Sequence, residues 1–103
     1  MNEILTRSRI DSLRQRYSNT EEAQSLLQFG MDMLREGEYD EFKAACIILI
    51  KSRMGFAEMS RLTNIPARSI IRMLSNQGNP TLSNLSIILK VLNDTLNTNL
   101  KNI

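Results

Sequence analysis

Apolar residues recur every three or four positions over much of this chain, the spacing that places them on one face of an α-helix. The first firm stretch of this kind runs from Thr20 to Glu36, and Gly37 follows it as a helix-ending residue. Asn19 at its start, with Glu22 three residues later, resembles a capping box, in which side chains satisfy unpaired N–H groups of the first turn. The pattern therefore predicts a helix over residues 20–36.

A second helix is predicted over Glu41–Arg53, with Asp40 in the N-cap position. Its centre is the seven-residue apolar run AACIILI, Ala44–Ile50, which leaves almost no polar face. A helix that is apolar on nearly all sides must be surrounded by other elements, so we expect it at the centre of the fold. Gly55 is expected to close it in a left-handed backbone conformation.

Two short helices are predicted next, over Phe56–Thr63 and Ala67–Leu74, with Asn64, Ile65 and Pro66 between them. Proline can open a helix but cannot continue the one before it. Two short helices that share a tight turn are the outline of a helix-turn-helix, a motif whose second helix can enter the major groove of DNA.

The second of these short helices would bury Ile70, Met73 and Leu74 and turn its other side outward. The outward residues are Ala67, Arg68, Ser69, Ile71 and Arg72. Arginines four positions apart share a helix face, and an exposed arginine can donate two hydrogen bonds to the O6 and N7 of guanine. For either arginine alone, the alternatives are a contact to phosphate only or a solvated side chain.

A polar connector, residues 75–80, leads to a fifth predicted helix over about 82–96, with Thr81 as its N-cap. A helix N-terminus offers unpaired N–H donors and the positive end of a dipole, so Asn79 and Thr81 are candidate contacts to DNA phosphates. A plain helix cap is the alternative. Apolar surface is left outside the inward stripe of this helix and after it, and we expect it to support a homodimer. Its residues are Leu82, Val91, Leu100 and Ile103.

Residues 1–19 show weak periodicity and mixed charge, so a loose arm or a short helix is predicted there. Residues 20–103 are predicted to form a single helical domain, because a chain of 103 residues supports one hydrophobic core. The expected fold class is therefore all-α, a compact domain of five helices.

Composition narrows the possible functions. The chain is 42% hydrophobic and 23% charged, as ordinary globular proteins are. With one cysteine, Cys46, and no histidine, it has no internal disulfide, no zinc-finger ligand set and no His-based catalytic dyad. We expect neither enzyme activity nor a cofactor or metal. The longest apolar run falls far short of the ~20 residues that span a bilayer, and the N-terminus is charged, so a cytoplasmic protein is expected.

Charge is segregated along the chain although its net value is only +2. Residues 21–41 carry seven acids and one base, whereas residues 43–72 carry six bases and one acid. This division suggests two surfaces with different partners, nucleic acid for the basic part and a basic protein for the acidic part. Two solvated faces with no partner are the equally simple alternative.

Two segments together resemble a known family: EEAQSLLQFGMDMLREGEYDEFKAACIILI from Glu21, and GFAEMSRLTNIPARSIIRMLSNQGNPTLSNLSIILKVL from Gly55. They are similar to the HigA-like addiction-module antidotes, small bacterial antitoxins of the XRE-type helix-turn-helix class, over about 70% of the chain. The resemblance implies a phage-repressor-like (XRE/Cro-C1) fold and a dimer that represses its own operon. It also implies direct neutralisation of a small basic, RelE-like toxin.

Carried over by position, the resemblance assigns DNA contacts to the residues already singled out. These are Ala67, Arg68, Ser69, Ile71 and Arg72, with Asn79 and Thr81 near the phosphate backbone. Family members commonly have larger polar or aromatic residues where Ala67 and Ile71 stand, so base reading would lean on the arginines and the serine. Two other interpretations stay open: a helical protein-interaction module without specific DNA reading, and a stand-alone repressor with no toxin partner.

Overall fold

The computed structural model describes residues 6–96. Over that range the structure is all-α: helices are joined by short turns, and there are no strands. In chain order the helices are α1 Arg7–Tyr17, α2 Thr20–Arg35, α3 Tyr39–Arg53, α4 Phe56–Thr63, α5 Ala67–Leu74 and α6 Leu82–Leu96. The all-α prediction is confirmed, and a radius of gyration of 13.1 Å fits a compact chain of this length. The predicted number of five helices is wrong, since the described residues form six.

The additional helix is α1, which lies where the sequence left a loose arm or a short helix open. Its N-cap is Thr6, whose hydroxyl oxygen accepts a hydrogen bond from the Arg9 N–H at 3.2 Å. Only a narrow stripe holds α1 to the core, through Leu13 and the buried Tyr17. Such a stripe gives weak periodicity, which is why the pattern did not identify a firm helix.

The turn between α2 and α3 shows how local chemistry sets both helix ends. Asn19 caps α2 by accepting from the Glu22 N–H at 3.0 Å, as predicted. Gly37 has φ +81°, and the N–H of Glu38 donates to the carbonyl of Met33 at 2.8 Å, which is the hydrogen bond of a Schellman motif. This tight exit starts α3 at Tyr39.

The predicted N-cap role of Asp40 is therefore wrong. Glu38 holds the N-cap position without a side-chain hydrogen bond, and its carbonyl accepts the Phe42 N–H at 3.1 Å. Asp40 and Glu41 lie inside the first turn instead, where negative charge complements the helix dipole.

Helix α3 is central, as its apolar run predicted. It packs against α1, α2, α4 and α5, while α6 packs against α2 and α4. Its fully buried side chains include Phe42, Cys46, Leu49 and Ile50. Gly55 follows α3 with the predicted positive φ, +86°, but its ψ of 159° lies outside the left-handed helical region. No helix within residues 6–96 is long and apolar enough to cross a membrane.

Helices α4 and α5 are joined by Asn64, Ile65 and Pro66. Asn64 adopts a left-handed conformation with φ 63°, which asparagine tolerates better than most residues. The Thr63 hydroxyl donates to the Met59 carbonyl at 2.8 Å and accepts from the Ile65 N–H at 3.2 Å, which fixes the turn. The buried Ile65 side chain anchors the turn in the core.

Candidate nucleic-acid interface

The outward side of α5 lies where the hydrophobic pattern predicts it. Ile70, Met73 and Leu74 are buried. Arg68 and Arg72 are exposed, and so is Ile71, at 50% of its full accessibility. Ala67 and Ser69 are partly exposed at the flanks of this face. The five predicted residues therefore share one solvent-accessible side of α5.

Arg68 and Arg72 are not engaged by the protein itself. Within residues 6–96, neither guanidinium takes part in a hydrogen bond or an ion pair. Both therefore keep all five N–H donors for an external acceptor. A helix of eight residues presents them one turn apart.

Most other bases of the basic block have partners inside the protein. Arg61 donates to both carboxylate oxygens of Glu58, and these hydrogen bonds hold the pKa of Glu58 below its usual value. Arg53 donates to the carbonyl of Tyr17 at 2.8 Å. Within the described residues, the exposed bases of residues 43–72 that have no partner are therefore the two arginines of α5. Lys51 also has no side-chain partner there, but it is half-buried on α3.

A cleft of about 290 Å³ lies between α5 and the start of α6. Four of the seven predicted site residues line it, namely Ser69, Arg72, Asn79 and Thr81. The structure thus brings α5 and the connector together at one surface. The other three, Ala67, Arg68 and Ile71, lie on α5 outside this cleft.

The N-terminus of α6 is capped as predicted. The Thr81 hydroxyl oxygen accepts from the Asn84 N–H at 3.1 Å, and the Thr81 carbonyl accepts from the Leu85 N–H at 2.9 Å. Asn79 and Thr81 are both exposed at this end of the helix. The positive end of the α6 dipole and exposed polar side chains therefore border the cleft that contains Arg72.

Sequence reasoning missed the residue that holds this connector, Lys43. Its ammonium group is buried, with 6% of the residue accessible, and donates to the carbonyls of Ser75 at 3.0 Å and Gly78 at 2.9 Å. The available signal was a lysine beside the apolar run of α3, on a helix that must be central. A charged residue there requires buried acceptors.

Two further surfaces bear on partners. An apolar groove between α2 and α6 is lined by Leu27, Met31, Leu34, Leu82, Leu85 and Leu89 among others. Leu82 is 84% exposed at its edge, whereas Val91 packs half-buried against the core. Leu100 and Ile103, also predicted to supply apolar surface, lie outside the described residues.

The second surface is acidic and surrounds the turn between α2 and α3. Glu36, Glu38, Asp40 and Glu41 are exposed there, and none of these four forms an ion pair within residues 6–96. Over the same range, no group of three or more histidine, cysteine, aspartate or glutamate side chains is arranged to hold a metal ion.

Comparison of the chain with models of known protein families, with curated proteins and with solved structures found no match.

Proposed function

We propose that the protein is a sequence-specific binder of double-stranded DNA and that α4 and α5 act as a helix-turn-helix with α5 as the recognition helix. The observation that carries the proposal is the pair Arg68 and Arg72, exposed one turn apart on α5 and unpaired within the described protein. The left-handed Asn64 and the buried Ile65 make the turn before α5 short and fixed. A rigid, short helix with protruding arginines suits the major groove.

The chemistry of the face limits what it can read. Each arginine can donate two hydrogen bonds to a guanine, and Ser69 can donate or accept at a base edge. Ala67 and Ile71 can contact only apolar features such as a thymine methyl group. The proposed operator therefore contains guanines opposite the arginines and a thymine close to them.

Phosphate contacts are proposed at the cleft beside α6. Asn79 and Thr81 border the positive end of the α6 dipole, and Arg72 lies on the opposite side of the same cleft. Such contacts position a protein on the duplex without reading sequence. They would fix the angle at which α5 enters the groove.

A homodimer is the proposed binding form. The α2–α6 groove leaves apolar side chains accessible, with Leu82 at its edge. Two copies joined there would present two α5 helices to half-sites of a palindromic operator, about 34 Å apart.

A second role, that of an antitoxin, is supported by the acidic surface at the α2–α3 turn. Four exposed carboxylates that form no ion pair within residues 6–96 fit a small basic protein such as a RelE-like toxin. In this role the protein would neutralise the toxin by direct contact and repress the operon that encodes both. Co-purification with a basic protein encoded by the adjacent gene supports this role. Its loss when Glu38 and Glu41 are changed to glutamine locates the contact.

The DNA proposal is tested by titrating the protein against the DNA upstream of its own gene and against unrelated DNA of equal length, at several salt concentrations. A specific regulator binds its own site at least about a thousandfold more tightly, and both affinities fall steeply as salt rises. Equal weak binding to the two DNAs would contradict the proposal. It would favour the rival function, a helical module for protein contact without specific DNA reading.

A further inference from the structure

We infer that Lys43 is a positioning residue for phosphate recognition: from within the core, it holds the connector between α5 and α6 so that Asn79 and Thr81 face the DNA backbone. The inference rests on the proposed DNA binding. Lys43 itself is buried and touches no DNA, so its role is to fix the position of other groups.

Lys43 joins two separate points of the connector. Its ammonium group lies 3.0 Å from the Ser75 carbonyl oxygen and 2.9 Å from the Gly78 carbonyl oxygen. Ser75 is the C-cap of α5, and Gly78 lies in the middle of the connector. One buried cation therefore joins the end of the recognition helix to the segment that leads into α6.

Within the described residues, no other core side chain supports the connector in this way. Its remaining hydrogen bonds are local, such as Gly78 N–H to the Ser75 carbonyl at 2.9 Å and the Ser75 hydroxyl to the Arg72 carbonyl at 2.7 Å. Within residues 6–96, two hydrogen bonds tie residues 75–81 to a helix other than the adjoining α5 and α6, and both come from Lys43.

The connector held by Lys43 approaches α5 closely at Gly78. A Cβ atom on Gly78 would overlap with the carbonyl oxygens of Arg72 and Met73, so the connector runs directly against the last turn of α5. Asn79 follows Gly78 immediately, and both line the cleft that also contains Arg72. Releasing Gly78 would therefore move Asn79 away from the recognition helix.

The positive charge of Lys43 suits the carbonyl groups that it contacts. The last carbonyls of a helix carry partial negative charge, and a cation placed there is favourable. No carboxylate within residues 6–96 forms an ion pair with Lys43, so its buried charge is compensated by the carbonyl dipoles. A neutral apolar side chain would fill the volume but leave both carbonyls without this donor.

The test compares Lys43→Met with Lys51→Met. Lys51 is half-buried on the same helix, and its ammonium group makes no hydrogen bond within the described residues. Both variants therefore lose one positive charge, but only Lys43→Met loses the contact to the connector. We expect Lys43→Met to weaken binding to the specific and the unrelated DNA alike, by about tenfold. This is the factor for losing one hydrogen bond to a charged group, here the contact between Asn79 and a DNA phosphate. Lys51→Met is expected to change both affinities less than threefold.

A double-mutant cycle separates positioning from general destabilisation. Asn79→Ala is expected to weaken DNA binding in the wild type but to have little further effect in Lys43→Met. Arg68→Ala is expected to keep its full effect in both backgrounds. An Asn79→Ala effect of equal size in both backgrounds, or none in the wild type, overturns the inference. If Lys43→Met does not fold, Lys43→Gln, which retains a neutral donor, is compared in the same way.

A measurement without DNA distinguishes this inference from the proposed function. Amide hydrogen exchange at Gly78 is expected to be faster in Lys43→Met than in Lys51→Met, because the connector is released. Unchanged exchange overturns the inference whatever the protein binds. If exchange is faster but the wild type does not discriminate between the two DNAs, Lys43 holds the connector as inferred and the DNA-binding proposal is refuted.

Discussion

The guanidinium of Arg53, at the end of α3, donates a hydrogen bond to the backbone carbonyl oxygen of Tyr17 at 2.8 Å. Tyr17 is the last residue of α1, and its ring is buried in the core. A positive side chain at a helix C-terminus satisfies a carbonyl that has no partner within the helix and complements the negative end of the dipole. The contact therefore fastens α1 to the central helix.

We predict that Arg53→Met lowers the free energy of unfolding by about 1–3 kcal/mol, since it leaves a partly buried carbonyl without a donor. Urea denaturation measures the change. Lys51→Met, two residues away on the same helix, removes the same charge without a hydrogen bond and is expected to change stability by less than about 0.5 kcal/mol. Equal losses in the two variants would show that the Tyr17 contact contributes nothing.

Arg68→Ala and Arg72→Ala are each predicted to reduce the free energy of binding to the specific DNA by about 1–3 kcal/mol, because a bidentate contact to guanine is lost. Thermal unfolding is expected to remain unchanged, since both side chains are exposed and have no partner in the part of the chain that the structure describes. The matched control is Arg35→Ala, an exposed arginine on α2 that pairs with Asp32. If both α5 variants bind as the wild type does, the recognition face has been assigned to the wrong side.

Gly30 lies where α2 packs tightly against α3. A Cβ atom at Gly30 would lie 3.1 Å from the Cβ atom of Ala45, which is buried and cannot rotate away. We predict that Gly30→Val destabilises the protein by about 1–3 kcal/mol through overpacking.

The companion variant, Gly30→Val with Ala45→Gly, removes the opposing methyl group. It is expected to be less destabilised than the sum of the two single variants, as measured by urea denaturation. Simple additivity would place the strain elsewhere than at this contact.

The thiol of Cys46 provides a test by pH. Burial raises its pKa from 9.0 to about 12. The folded pKa lies above the unfolded value, so the stability contributed by the neutral thiol is fully present below pH 9 and declines as pH rises towards about 12. The loss reaches about 1.4 kcal/mol per pH unit.

Between pH 8 and pH 10.5 the free energy of unfolding of the wild type is therefore expected to fall by about 2 kcal/mol more than that of Cys46→Ala, in which no thiol titrates. Urea denaturation at the two pH values measures the difference, and other titrating groups cancel between the two proteins. Parallel losses would mean that the thiol ionises in the folded state as easily as in the unfolded chain.

Predictions from the sequence succeeded where neighbouring residues carry the signal. They identified the positive φ of Gly55, the capping residues Asn19 and Thr81, and the bounds of α4 and α5. Each of these follows from side chains within four positions of one another. The N-cap role of Asp40 failed because the Schellman turn at Gly37 starts α3 early. Helix α1 was not identified firmly because only a narrow stripe of it meets the core.

The sequence by itself determined the all-α class, the central position of α3 and the face of α5 that carries Arg68 and Arg72. Helical periodicity and capping act over three or four residues, so they can be read along the chain. The tertiary structure alone decided that Ser69, Arg72, Asn79 and Thr81 share a cleft.

The tertiary structure also decided which backbone carbonyls the side chains of Lys43 and Arg53 contact. Lys43 reaches acceptors 32 and 35 residues away, and Arg53 reaches one 36 residues away. These acceptors are backbone carbonyls, which every residue possesses, so no residue type in the sequence identifies them.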